Sequence, residues 1–130
     1  MTSQNSPYKS KGGAGRLVNA LRYSIQGVHA AFQHEAAFRQ ELLATAVLMP
    51  AAFWVGKSTA EIVALIGVLF FILIVELLNS GVEALADALS LDENPLIGRA
   101  KDLGSAAVML SIIFAAIVWL ALIARRLAAG

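Results

Sequence analysis

The 130-residue chain contains no cysteine, which removes disulfides, thiolate metal sites and cysteine nucleophiles from consideration. It is also poor in charge: 15% of its residues are Asp, Glu, Lys or Arg, against about 25% in an ordinary soluble domain. The formal net charge of +1 is too small to suggest nucleic-acid binding. Three prolines leave long stretches free to form uninterrupted helices. What is abundant is apolar side chain, 58% of the sequence with a mean hydropathy of +0.72. These features describe an integral membrane protein with room for one domain.

Residues 1 to 15, "MTSQNSPYKSKGGAG", are polar and Gly-rich, too poor in apolar surface to order themselves, and read as a mobile tail without the apolar core of a signal peptide. From 16 to 34 the apolar residues Leu17, Leu21, Ile25 and Val28 recur at helical spacing. They predict an amphipathic helix lying on a membrane surface, with Arg16 and Arg22 toward lipid phosphates. Three spans follow, over about 35–55, 59–89 and 98–126, joined by the "GKST" turn (56–59) and the loop "SLDENPLIG" (90–98). The first is marginal, because its unbroken apolar part, Leu42 to Val55, falls short of the roughly 20 residues a bilayer core needs, and Pro50 should kink it. Residues 16–130 thus form a single membrane domain.

Lys9, Lys11, Arg16, Arg22 and Arg39 flank the first span on its N-terminal side, and Arg99 and Lys101 follow the second. The surplus of Lys and Arg puts the N-terminus and the second loop in the cytoplasm. Arg125 and Arg126 then fall on the far side, against the rule.

Two nucleotide- and metal-like strings fail on inspection. Gly56-Lys57-Ser58 imitates the end of a phosphate loop, but the required first glycine is Ala51. His34-Glu35 opens like a zinc-protease motif, but the second histidine position is Phe38.

Three polar clusters on the cytoplasmic side carry the chemistry. In "VELLNSGVEALAD" (75–87), Glu76, Asn79, Ser80, Glu83 and Asp87 fall within about 60° either side of one line along a helix. The apolar run Ile62 to Val75 rises about 21 Å, leaving Glu76 in the interface and Glu83 about 10 Å farther out. A carboxylate at that depth costs several kcal/mol unless it lines a polar cavity or has a partner, so Glu76 marks a site. The second cluster is "EAAFRQE" (35–41), where Glu35 and Arg39 have the spacing of a helical ion pair and Gln40 and Glu41 follow. The third is Arg99, Lys101, Asp102 and Ser105 in "GRAKDLGSAAV" (98–108). Hard oxygen ligands, cations and a buried carboxylate suit a Mg2+-nucleotide meeting a lipid hydroxyl.

These three motifs, in this order and spacing, resemble the small bacterial integral-membrane diacylglycerol kinases. The resemblance implies an all-α homotrimeric bundle of surface helices and three spans per chain. The resemblance places that bundle in the bacterial inner membrane, with sites shared between protomers on the cytoplasmic side. It implies that ATP phosphorylates diacylglycerol to phosphatidic acid, with Glu76 as general base supported by Asn79, and with Glu35 and Glu83 holding Mg2+. Arg16, Tyr23, Glu35, Glu83, Asp92, Glu93, Asn94, Lys101 and Asp102 would contact ATP. Arg16, Ser24, Arg39, Gln40, Glu41, Glu76, Ser105 and Trp119 would contact the lipid. The sequence departs from the family at Ile25-Gln26, where a Trp-Lys pair is common. Two other readings of the residues are an undecaprenol kinase, which tends to lack "FRQE", and an ion-conducting or transport oligomer with Glu76 and Glu83 along a pore. The cations of "GRAKD" disfavour the pore.

Overall fold

The computed structural model describes residues 13–89 and 94–130, and within them every regular element is an α-helix: α1 (Ala14–His34), α2 (Ala36–Val55), α3 (Thr59–Leu89) and α4 (Pro95–Ala128). The expected tail over 1–15 lies outside the described residues except for its last three. There the chain is already turning into helix, because Gly13 takes φ 84°, a conformation open to glycine. Thus α1 starts at Ala14, two residues before the expected Arg16.

One residue separates α1 from α2. Glu35 is extended (φ −114°, ψ 107°), yet its N–H still donates to Ala31 O at 2.9 Å and its carbonyl accepts from Arg39 N at 3.2 Å. The expected Glu35–Arg39 ion pair is absent. Arg39 Nη1 instead donates to Phe32 O at 2.8 Å and Gln33 O at 3.2 Å. These are carbonyls at the end of α1 that lack helical partners, and a cation there also complements the helix dipole. Behind the corner, Ala31, Phe38 and Leu73 form a small buried cluster that seats α1 and α2 on α3.

Helix α2 runs on through Pro50 and ends at Gly56. A Cβ on Gly56 would stand 2.6 Å from Ile62 Cγ1 and 3.1 Å from Ala52 O, so only glycine allows the chain to reverse this tightly. The next helix starts on a side-chain cap: Glu61 N donates to Ser58 Oγ at 3.2 Å, while Glu61 Oε2 accepts from Lys57 N at 2.7 Å. The Ser-x-x-Glu spacing of a capping box was present in "STAE".

Helices α3 and α4 form the main hairpin. Their core joins Leu65, Val68, Leu69, Ala115 and Trp119 with Ala52 and Val55 of α2. Trp119 Nε1 donates to Leu65 O at 3.1 Å, and Phe71 meets Phe114 edge to face at 6.1 Å. At the far end, Arg125 pairs with Glu61. Arg126 Nε donates to Trp54 O at 3.1 Å, with the guanidinium 5.0 Å from the Trp54 ring centre. The two arginines that broke the charge rule therefore tie α4 to both ends of the α2–α3 turn.

Both α3 and α4 are long and apolar enough to cross a membrane, yet only 28% and 17% of their most apolar stretches are buried. A core helix of a water-soluble protein would bury most of that surface. Lipid or further protein must cover it, and the chain is a helical membrane protein. Helix α2 falls outside this pair because Arg39, Gln40 and Glu41 occupy its start.

The Trp119 bond leads to a stability test. Trp119→Phe keeps an aromatic ring in the core but leaves Leu65 O without this donor. It should lower unfolding free energy by about 1 kcal/mol in reversible denaturation in mixed micelles. An unchanged midpoint would show that the bond does not hold α3 to α4.

Candidate active site

On α3, the 3.6-residue repeat puts Glu76 and Asn79 on the packed face, where they are 5% and 8% exposed; Glu83, one turn on, is half-buried. From α2, Glu41 reaches the same place. Its carboxyl group lies within hydrogen-bonding reach of that of Glu76, with Glu83 and Glu35 near enough to act on Glu76 electrostatically. Residues 35 apart in sequence thus become a facing pair. Carboxyl groups in contact need a positive partner between them, a proton or a cation. One oxygen of Glu41 is buried without a hydrogen-bond partner, as are Asn79 Oδ1 and Ser80 Oγ. Buried polar atoms left open in this way are uncommon and cluster where a ligand completes the bonding.

Asn79, which the resemblance makes a support for Glu76, is buried beside it on the same face. Its amide donates to Glu83 Oε1 at 3.4 Å, since on a helix the residue four positions on lies directly above it. The carbonyl end of Asn79 is pressed against Gly104 of α4, where a Cβ would collide with Oδ1. Gly104 escaped sequence reasoning, although a lone glycine inside an apolar helix is a signal of close packing.

Lys101 Nζ bonds Asp87 Oδ1 at 2.6 Å, joining the outer ends of the α3 and α4 polar faces. Asp87 was placed on that face without a role. Asp92 and Glu93 lie outside the described residues. Asn94 caps α4, its Oδ1 accepting from Leu96 N at 2.9 Å with Pro95 in the first turn. Helix α4 consequently starts at 95, not 98, and "NPLIG" is a helix start that the loop reading passed over.

The remaining expected residues stand apart. Arg16, Gln40, Asp102 and Ser105 are exposed, and among the described residues no side-chain hydrogen bond or ion pair links them, or Tyr23, to the carboxylates. Tyr23 sits beside Arg22, whose guanidinium is 5.6 Å from the ring centre. Ser24 bonds back to Ala20 O at 2.8 Å and, with Glu35 and Ser80, lines a cavity of about 650 Å³ between α1 and α3. Trp119 belongs to the core, but it also lines a groove of about 420 Å³ that runs past Leu48, Leu69 and Ile112 to Glu41. That groove is apolar along its length and acidic at one end.

Among the described residues, no group of three or more His, Asp or Glu side chains converges to form a metal site. The donor set nevertheless fits a hard divalent ion that takes one or two carboxylates and completes its shell with phosphate and water.

The model of a family described as prokaryotic diacylglycerol kinase matches residues 22–123, a span that contains the corner, the α3 carboxylates and the α4 head. The chain belongs to the prokaryotic diacylglycerol kinase family. Family relatives named diacylglycerol kinase include one from Pseudomonas aeruginosa, 46% identical over 88% of this chain and 93% of its own length. One from Haemophilus influenzae is 39% identical over 86% and 94%, and one from Escherichia coli is 43% identical over 82% and 88%. The resemblance drawn from "EAAFRQE", "VELLNSGVEALAD" and "GRAKDLGSAAV" is thereby established at the level of the family.

The Asn94 cap separates two roles for that residue. Asn94→Ala should cost about 1 kcal/mol of stability, whereas Asn94→Asp, an equally good cap, should cost almost none. Both are measured by thermal unfolding; an equal loss in the two variants would reject the cap as the reason for asparagine here.

Proposed function

We propose that the chain phosphorylates diacylglycerol with ATP, giving phosphatidic acid and ADP at the cytoplasmic face of the bacterial inner membrane. The observation that carries this is buried Glu76 facing half-buried Glu41, whose side chain lines an otherwise apolar groove. Diacylglycerol has that same division, apolar acyl chains on a glycerol that bears one free hydroxyl. The family membership supports the same substrate class.

In the proposed reaction Glu76 accepts the proton of the lipid hydroxyl as its oxygen attacks the γ-phosphorus. The bond to the β–γ bridging oxygen breaks and ADP leaves with that electron pair. Glu41 holds the hydroxyl against Glu76. Glu35 and Glu83 would hold Mg2+, and Asn79 fixes Glu83. Bound there, Mg2+ offsets charge on the transferring phosphoryl group. Lys101, released from Asp87, and Asp102, Asn94, Asp92, Glu93, Arg16 and Tyr23 are assigned to ATP. Ser24, Arg39, Gln40, Ser105 and Trp119 are assigned to the lipid side, Arg39 through the corner it closes.

We further propose α2 as a third span, shortened because its polar start lies in the interface, and α1 as a helix on the membrane surface. Leu17, Leu21, Ile25 and Phe32 are exposed along α1, as a lipid-facing stripe requires. A homotrimer supplies the protein surface that one chain lacks. The many large apolar residues left exposed on α2, α3 and α4 are available for that assembly.

The direct test is transfer of labelled γ-phosphate from ATP to diacylglycerol and, separately, to undecaprenol in mixed micelles. Diacylglycerol should be the preferred acceptor; preference for undecaprenol, or no transfer to either, rejects the reading. In the same assay Glu76→Gln should lower kcat by about 10² or more with little change in apparent affinity for Mg-ATP. Near-normal kcat would move the base to another carboxylate, Asp102 first.

Replacing Glu35 or Glu83 by Gln should raise the Mg2+ concentration needed for half-maximal rate, since a neutral amide is a poorer ligand for a hard cation. An unchanged Mg2+ dependence in both variants would reject the ligand assignment.

A further inference from the structure

The site assembled above is held from α4 by a position with no side chain. Gly104 lies opposite Asn79, and a Cβ built there would overlap Asn79 Oδ1 and stand 3.2 Å from Asn79 Cγ. Neither partner has an easy escape. Asn79 is 8% exposed, and its amide is bonded to Glu83 at 3.4 Å. A rotation that cleared a methyl group would withdraw the amide from that carboxylate. The short, branched Asn side chain has two rotatable bonds, and a close-packed surround leaves few alternative rotamers.

The other interior glycines of the spanning helices differ. A Cβ on Gly67, Gly81 or Gly98 meets nothing within 4 Å. Glycine is a poor helix former, so its presence inside α4 opposite this one side chain needs a local reason, and the contact supplies it.

We infer that Gly104 is a positioning residue for phosphoryl transfer: its missing side chain lets α4 press Asn79 into the one orientation that holds Glu83 in the site. The inference rests on the proposed reading that Glu83 serves the reaction. It adds a residue that touches neither lipid nor nucleotide and acts through Asn79.

The contact predicts a reversal of sign that a general packing role would not produce. In the wild-type background Gly104→Ala should lower the thermal unfolding midpoint, because the methyl group displaces a buried side chain. In an Asn79→Ala background the space is open, and the same substitution should raise the midpoint, because alanine favours helix over glycine. Activity should follow the same cycle. Gly104→Ala alone should lower kcat about tenfold or more, and it should add little to the loss already caused by Asn79→Ala.

The four proteins would be purified in micelles, their helicity compared by circular dichroism, and their midpoints and rates measured together. If Gly104→Ala alone does not fold, the double variant should fold, since the obstructing side chain has been removed. The inference is overturned if Gly104→Ala retains wild-type kcat, or if its effects on midpoint and rate are the same in both backgrounds. Full activity of Asn79→Ala would overturn it as well. That result would fault the place of Asn79 in the site, and the midpoint cycle would still report on the contact itself.

Discussion

A carboxylate cannot sit at the end of an apolar helix without company, and the arrangement of this protein follows from the company Glu76 keeps. The cost of removing such a group from water is several kcal/mol, and nothing on α3 alone can offset it. Glu41 is brought to Glu76 from α2, and Glu83 and Glu35 lie near enough to Glu76 to act on it electrostatically. The result gathers negative charge, so the remaining requirement is for positive partners. A divalent cation and the proton of an alcohol are both of that kind, which is why the same feature that burdens the fold suits the proposed phosphoryl transfer.

The elements around the pair are placed by contacts of different kinds. The one-residue corner at Glu35 puts α2 where Glu41 can reach Glu76, and Arg39 closes it by binding the last carbonyls of α1. On the opposite side α4 comes close because Gly104 has nothing to interpose. Deeper in the hairpin, Trp119 bonds the α3 backbone, and at the far end the Glu61–Arg125 pair and the Arg126–Trp54 contact close the bundle. Close approach at one end and polar closure at the other leave the intervening length to dispersion and apolar packing, which suffices where lipid surrounds the helices.

Much of this could be read without coordinates. The periodicity of Glu76, Asn79, Glu83 and Asp87 identified one polar face, and the length of the apolar runs identified α3 and α4 as spans. Boundaries were legible where a cap announced them, and the α4 start was misplaced because Asn94-Pro95 was read as loop. Contacts between helices were not legible. Glu35 and Arg39 have ideal spacing for an ion pair, but that spacing applies inside one helix, and Glu35 stands outside it. The pairing of Glu41 with Glu76 and of Gly104 with Asn79 depends on how helices meet, which a single sequence does not encode in any local pattern. Nor could Asn79 be assigned between Glu76 and Glu83, because both lie within a turn of it.

The corner at Glu35 has a mechanical meaning. One extended residue, with an arginine bonded to two carbonyls across it, fixes how α1 and α2 meet. When α1 lies in the headgroup plane, as proposed, the carboxyl pair sits at a fixed depth below that plane whatever the thickness of the bilayer. Mismatch between helix length and hydrocarbon thickness, which membranes of different composition impose, is then taken up at the opposite leaflet, around Trp54 and Arg126. Catalytic depth and membrane thickness become independent quantities.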